Sequence, residues 1–293
     1  MPTISQAVTE GSSRLKSSGV DRDRRTAGLL LCHLLGVDRT YLLTRSAELI
    51  DDACYHSYLS LIERRASGEP VQYITGHQEF YGLDFVVTPD VLIPRPETEF
   101  LVERVIKILE ESPEESPLIV DLATGSGCIA VALAVHIPRA RVIATDISRT
   151  ALEVAKRNAE RNGVGTRIDF REGDLLTPLD KGSLAGAVDV LASNPPYVNE
   201  GVSELVPPEV RDWEPKQALF GGPDGLLFYR RLLSEGFNYL KPGGSMVLEI
   251  GYGQFDSITS LVAGSGLELV EVTRDLQHIP RTISMRKASS ETS

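Results

Sequence analysis

The apolar positions of the chain change rhythm along its length. Up to about Gly68 they recur at helical spacing: Leu29, Leu30, Leu31, Leu34 and Leu35 make one face that Gly36 stops, and Tyr55, Leu59 and Ile62 make another. This predicts a small helical bundle over residues 1–69. From Pro70 to Ile93 the residues become β-branched and aromatic, with Val71, Tyr73 and Ile74 and then Phe80 to Val87 around Gly82, and a hairpin connector is predicted over residues 70–93. Pro89, Pro94 and Pro96 punctuate its end. Pro96 at a first helical position, followed by the acidic Glu97 and Glu99, opens a helix that runs through Leu109.

Past residue 117 short apolar runs alternate with amphipathic stretches. Strands are predicted over residues 118–121, 140–145, 168–170, 188–191, 246–250, 267–273 and 281–286, and helices over 128–135, 150–162, 225–240 and 255–263, with a turn at Lys241 to Gly244. Strand and helix in alternation give a mainly parallel sheet with helices on both faces, and the last two strands, joined without a helix, are expected to be antiparallel neighbours. Residues 94–293 thus form an α/β domain.

Composition narrows the function classes. The chain has 293 residues, 42% apolar and 24% charged, enough for one large or two ordinary domains with a sizeable core. A formal net charge of -11 argues against the basic footprint that a sequence-independent grip on nucleic acid requires. No apolar run reaches the length of a membrane span, and the first residues show no charged-then-apolar leader, so a cytoplasmic protein is expected. Cys32, Cys54 and Cys128 form neither a disulfide framework nor a metal knuckle and are expected in the core; the five histidines lack paired ligand spacing, and no metal is expected.

The most informative residues are Asn194, Pro195, Pro196 and Tyr197, which stand where the 188–191 strand should end. Two prolines fix φ and remove N–H donors, and Asn194 before proline is pushed toward extended geometry. An amide, unpaired carbonyls and a ring are then displayed at a strand's carboxyl end, where open α/β sheets bind ligands. The Asn194 side-chain oxygen and the Pro195 carbonyl could accept the two hydrogens of a planar NH2 group, with Tyr197 against its flat face.

A second set follows the first strand of the domain. Ala123, Thr124, Gly125, Ser126 and Gly127 come after Asp121 on a strand-to-helix turn, and Gly125 to Ala130 also satisfies a dinucleotide-binding pattern. A purely structural turn is the plain alternative. Asp146, about 20 residues on, stands where an acid takes ribose hydroxyls, or else caps the next helix as Ser148 could. Asp174 with Leu175 falls on the same edge and could accept an adenine amino group, or be an ordinary turn residue. These residues leave open an amino methyltransferase acting on protein or on a flipped base, an oxidoreductase that uses a nicotinamide dinucleotide, and a non-catalytic adaptor.

Taken together, Pro70 to Gly76, Phe80 to Leu83, Leu92 to Glu99, the loop after Asp121, Asn194 to Tyr197, Arg211 to Pro215, Ala218-Leu219 and Gly221 to Leu226 resemble the HemK/PrmC family of protein-(glutamine-N5) methyltransferases. The resemblance covers nearly all of the chain beyond about residue 25. It implies a Rossmann-like class I fold: a mostly parallel seven-stranded sheet, last strand antiparallel, with a small helical domain that helps recognise the substrate. It implies S-adenosyl-L-methionine as cofactor and the glutamine of the Gly-Gly-Gln motif of class 1 peptide chain release factors as methyl acceptor, with a monomer, no nucleic-acid substrate and no membrane. Ala123 to Gly127 and Asn194 would contact the cofactor, Asp146 its ribose, and Asp174 and Leu175 its adenine. Asn194 to Tyr197 would grip the glutamine, and Arg95 to Phe100 would lie near the methyl donor. Two departures stand out: Ala123 replaces a usual glycine, and residues 275–281 replace a usual glycine-containing turn.

Overall fold

The computed structural model describes residues 1–289, and the chain divides into two compact units. The first comprises Met1–His77 together with Pro207–Trp213. Its helices are α1 (Ile4–Ser17), α2 (Asp23–Leu35), α3 (Arg39–Thr44), α4 (Asp52–Ala66) and α5 (Val71–Thr75). A Thr3 to Gln6 capping box starts α1, and Asp38 and Asp51 cap α3 and α4 through their carboxylates. Ala7, Leu15, Leu30, Leu31, Tyr58 and Ile62 are fully buried between them. Close approach of α1 and α4 needs Gly11, where a Cβ would overlap the Tyr58 hydroxyl. In the same unit Arg65 pairs with Glu209 at 2.5 Å.

One sequence expectation fails here. Residues 71–75 are helix rather than the start of a hairpin, because Pro70 supplies a helix-starting φ and Gly76 at φ 75 ends the turn after five residues. Local helix closure overrides the β preference of Val71, Tyr73 and Ile74. The hairpin itself is β1 (His77–Phe80) with β2 (Leu83–Val86), turned through Tyr81 and Gly82.

The second unit, Gln78–Val206 with Glu214–Ser293, holds the sheet. After a 3-10 turn at Pro96–Thr98 come α6 (Glu99–Glu110), β3 (Leu118–Leu122), α7 (Cys128–His136), β4 (Arg141–Asp146), α8 (Arg149–Arg161), β5 (Ile168–Glu172), α9 (Lys181–Leu184) and β6 (Val188–Ser193). Beyond α10 (Pro208–Trp213), which belongs to the first unit, follow α11 (Lys216–Leu219), α12 (Leu227–Gly236), β7 (Leu240–Glu249), α13 (Phe255–Val262), β8 (Leu267–Arg274) and β9 (Pro280–Lys287). The order across the seven strands is β5-β4-β3-β6-β7-β9-β8. β3 to β6 and β6 to β7 pair in parallel, and β9 runs antiparallel to both β7 and β8. β3 and β4 are buried along nearly their whole length and β6 throughout, as a sheet covered on both faces requires.

Two apolar layers cover those faces. On one, Leu101, Val105, Ile129, Leu133 and Ala159 of α6, α7 and α8 pack on Ile119, Val142 and Val190. On the other, Tyr229, Leu233 and Ile258 of α12 and α13 pack on Val120, Leu191 and Met246. The helix predicted over 225–240 is shorter, and the predicted turn at Lys241 to Gly244 lies within β7, where the pairing with β6 shifts register between Val188 and Val190. Only Cys128 is a core thiol, Cys32 and Cys54 being half-buried. No helix among the described residues is long and apolar enough to cross a membrane.

Candidate active site

The order of strands brings the predicted residues together. Connections run outward from β3 through β4 to β5 and outward from β6 to β7, so the sheet reverses between β3 and β6, where open α/β sheets form a crevice at the carboxyl ends. Leu122 pairs with Ser193 in register, so the loop 123–127 and the segment 194–197 leave neighbouring strands at the same level. Backbone and side-chain bonds stitch the strand ends: Ser193 Oγ donates to the Leu122 carbonyl at 2.7 Å, Thr124 N–H to the Thr145 carbonyl at 2.9 Å, and Thr145 Oγ1 to the Leu175 carbonyl at 2.9 Å.

The loop is shaped by left-handed backbone at Ala123 (φ 57), Gly125 (φ 56) and Gly127 (φ 80). Ala123 holds that conformation at a cost of about 1–2 kcal/mol relative to a residue without Cβ. Gly127 has a second constraint, since a Cβ there would meet Ala155 Cβ of α8 at 2.9 Å. Gly125, by contrast, has no atom within 4 Å of where its Cβ would stand, which leaves room for a ligand beside the loop. Asn158 of α8 anchors the loop from behind: its Nδ2 donates to the Ser126 and Val86 carbonyls at 2.8 and 3.0 Å, and its Oδ1 accepts from Val86 N–H at 2.7 Å.

Two carboxylates lie at the strand ends. Asp121 is fully buried; its Oδ2 accepts from Thr124 Oγ1 at 2.5 Å and from Ala130 N–H at 3.2 Å, while Oδ1 has no hydrogen-bond partner among the described residues. Burial pushes its pKa up to about 7. The folded state therefore keeps a proton between about pH 4 and about pH 7 that the unfolded chain has released, so this group's stabilising contribution is full below that window and declines as pH rises through it. Asp121→Asn is expected to flatten that decline in urea titrations of the sheet unit; an unchanged slope would show that Asp121 does not titrate there.

Asp146 is also raised by burial, against the lowering effect of the Ser148 and Gly125 N–H groups that its Oδ1 and Oδ2 accept at 2.8 Å each. Ser148, not Asp146, caps α8 by accepting from Ala151 N–H. Each Asp146 oxygen keeps a lone pair for a ligand hydroxyl. Asp174 lines the same cleft but is ion-paired with Arg231 at 2.9 Å, which leaves its carboxylate shared between cleft and helix α12.

A cleft open to solvent runs between these groups. Ala123, Gly125, Asp146, Asp174, Leu175, Asn194 and Pro196 line it, with Val91, Leu92, Pro215 and Phe228 as apolar walls. Thr124, Ser126 and Gly127 shape the loop without lining the cleft; Thr124 and Ser126 are buried, and Pro195 is buried beside Asn194. The open space beside Gly125, the spare acceptors of Asp146 and the apolar walls fit a nucleoside joined to a small charged tail.

Behind Asn194 lies a chain of bonds that sequence reasoning did not assign. Asn194 Nδ2 donates to Thr98 Oγ1 at 3.1 Å, and Thr98 Oγ1 donates to Glu249 Oε2 at 2.6 Å. Tyr197 OH reaches the other oxygen, Oε1, at 3.4 Å. Burial, with Glu249 adding to it, raises the Tyr197 phenol, which stays protonated. Gln254 holds the Tyr197 carbonyl at 3.0 Å, and Gly221 packs so tightly that a Cβ would lie 2.6 Å from the Pro196 carbonyl. Arg95 pairs with the buried Glu214 at 2.5 Å.

Fold and cleft together define a class I, S-adenosylmethionine-dependent methyltransferase. Comparisons of sequence carry this further. Residues 6–76 match the PrmC N-terminal domain and residues 97–206 the methyltransferase small domain. The chain is 42% identical to a release factor glutamine methyltransferase of Koribacter versatilis, over 98% of this chain and 100% of that one, and 46% identical to one of Moorella thermoacetica over 90% and 91%. The chain belongs to the release factor glutamine methyltransferase family. Its fold is also similar to that of the hMettl16 catalytic domain solved with the MAT2A 3'UTR hairpin 1 (TM-score 0.57, 15% identity, 85% of each chain) and of a methyltransferase from Pyrococcus furiosus (TM-score 0.50, 22% identity, 71% and 91%).

Proposed function

We propose that the chain methylates the side-chain amide nitrogen of the Gly-Gly-Gln glutamine in class 1 peptide chain release factors, as a cytoplasmic monomer whose residues 1–69 take part in recognising the factor. The observation that carries this reading is the aim of Asn194: its NH2 is held by Thr98, and its Oδ1 takes no hydrogen bond from the described residues and faces a role as acceptor. Oδ1 of Asn194 and the carbonyl of Pro195 accept the two hydrogens of the substrate amide. Pro196 and Tyr197 pack against its plane.

An amide nitrogen is a poor nucleophile because its lone pair is delocalised. Two acceptors on its hydrogens turn the lone pair toward the methyl donor and stabilise hydrogens that become more acidic as the bond forms. Bound S-adenosylmethionine supplies a methyl carbon on sulfonium sulfur, and that carbon–sulfur bond breaks, leaving a thioether, as the nitrogen–carbon bond forms. Alignment of the two reactants accounts for most of the acceleration, about 7–11 kcal/mol in well-oriented systems. The methylated nitrogen then sheds one proton to water. In this reading Ala123 to Gly127 border the cofactor, Asp146 takes its ribose, and Asp174 and Leu175 flank its adenine.

Intact-mass and fragment analysis of a release factor incubated with the protein and S-adenosylmethionine tests the proposal. One added methylene unit on the Gly-Gly-Gln glutamine is expected. Transfer to an exocyclic amine of an oligonucleotide, with none to the factor, would overturn it in favour of a nucleic-acid substrate.

A further inference from the structure

Resting on that glutamine reading, we infer that Thr98 and Glu249 are positioning residues: a one-way chain of hydrogen bonds from Asn194 through Thr98 to an ionised Glu249 fixes the Asn194 amide with its oxygen toward the substrate. The direction follows from donor counting. An ionised carboxylate only accepts. Thr98 has one hydroxyl proton, and at 2.6 Å from Glu249 Oε2 that proton is committed there. Oγ1 can then only accept from Asn194, at 3.1 Å, so Nδ2 faces Thr98 and Oδ1 faces out. Protonating Glu249 removes the constraint. A carboxylic acid can donate to Thr98, Thr98 can donate to Asn194 Oδ1, and the amide turns its NH2 toward the substrate's NH2, donor against donor.

The same carboxylate meets Tyr197, so one buried group holds both Asn194, through Thr98, and Tyr197. Charged groups from two other segments act on it. Glu97, on the turn before α6, favours the protonated form, and Arg281 of β9 favours the ionised one. Tyr197 donates, while Tyr229 bonds the Glu249 carbonyl at 2.9 Å, and the Tyr229 phenol and Cys128 thiol are both raised by burial and stay neutral. Burial outweighs the bonds from Thr98 and Tyr197 and pushes Glu249 up to about 7, which places the switch near neutrality.

The test follows kcat and KM of the full chain on a release factor from about pH 6 to about pH 9, for wild type, Thr98→Val, Thr98→Ser and Glu249→Gln. In parallel, the side-chain amide resonances of Asn194 are followed over the same range in the free protein. In wild type kcat is expected to rise with pH to a plateau while the Asn194 resonances move with the same midpoint. Thr98→Val is expected to lower kcat by about tenfold to a hundredfold, with KM nearly unchanged, and to abolish both pH responses. Thr98→Ser restores them. Glu249→Gln, which has one acceptor for two donors, lowers kcat and removes the pH response. Wild-type kcat and pH profile in Thr98→Val, or Asn194 resonances indifferent to pH, overturn the relay. If the wild type methylates no glutamine while the Asn194 resonances titrate and Thr98→Val abolishes that titration, the relay stands and the substrate reading fails.

Discussion

Asn194→Ala is expected to lower kcat for methyl transfer by about 10²–10³, the loss typical when one preorganised polar group serving the transition state is removed. The side chain does not hold the sheet together; its one bond among the described residues is to Thr98. The folded state and most of the cleft should therefore survive. Cofactor affinity is expected to change far less than kcat, because Asn194 is one of many groups that line the cleft. Single-turnover transfer measured beside calorimetric cofactor binding separates the two. A variant that keeps transfer within tenfold of wild type while binding cofactor normally would remove Asn194 from the reaction.

The second large effect is on stability. Asn158→Ala strips the buried Ser126 carbonyl and both polar groups of the half-buried Val86 of their partner, and a buried group left unpaired costs about 1–3 kcal/mol. A loss of about 3 kcal/mol is expected for the sheet unit. Asn162→Ala, four residues on and with a hydrogen bond to Asp84 at the surface, should stay within about 1 kcal/mol. The choice of probe matters, since the single tryptophan, Trp213, belongs to the helical unit. Hydrogen exchange at β3, β4 and β6 reads the correct unit, and equal protection in both variants would refute the anchoring role of Asn158.

Much of this architecture is legible in the sequence alone. Short apolar runs bounded by glycine and proline place β3, β4 and β6 to within a few residues, because strands buried on both faces leave little room for polar residues. The Asn194 segment and the glycine loop are legible because proline and glycine constrain the backbone by themselves. Val71 to Thr75 mislead because side-chain preference for strands is weak against a helical start at proline. Thr98 stands within a stretch expected near the methyl donor but with no task of its own, and Glu249 lies at the end of an apolar strand with no local mark. Their function is a property of three distant segments meeting, at sequence separations of 96 and 151, and no window along the chain contains it. Asn158 is hidden likewise, as a lone polar residue on the buried face of an amphipathic helix.

The position of β9 bears on how the chain is made. It is the last of the described strands in sequence, yet it lies inside the sheet, and among the described residues β8 pairs with no other strand. Arg104 of α6 donates to Ser284 of β9 at 3.0 Å across 180 residues. A nascent chain on the ribosome can therefore assemble β3 to β7 while β7 still offers an unpaired edge and β8 has no place to dock. Closure of the sheet waits for β9 to emerge, so a chain that stops short of residue 280 is expected to carry an open, association-prone edge, and the catalytic unit matures only once residues 280–287 have left the exit tunnel.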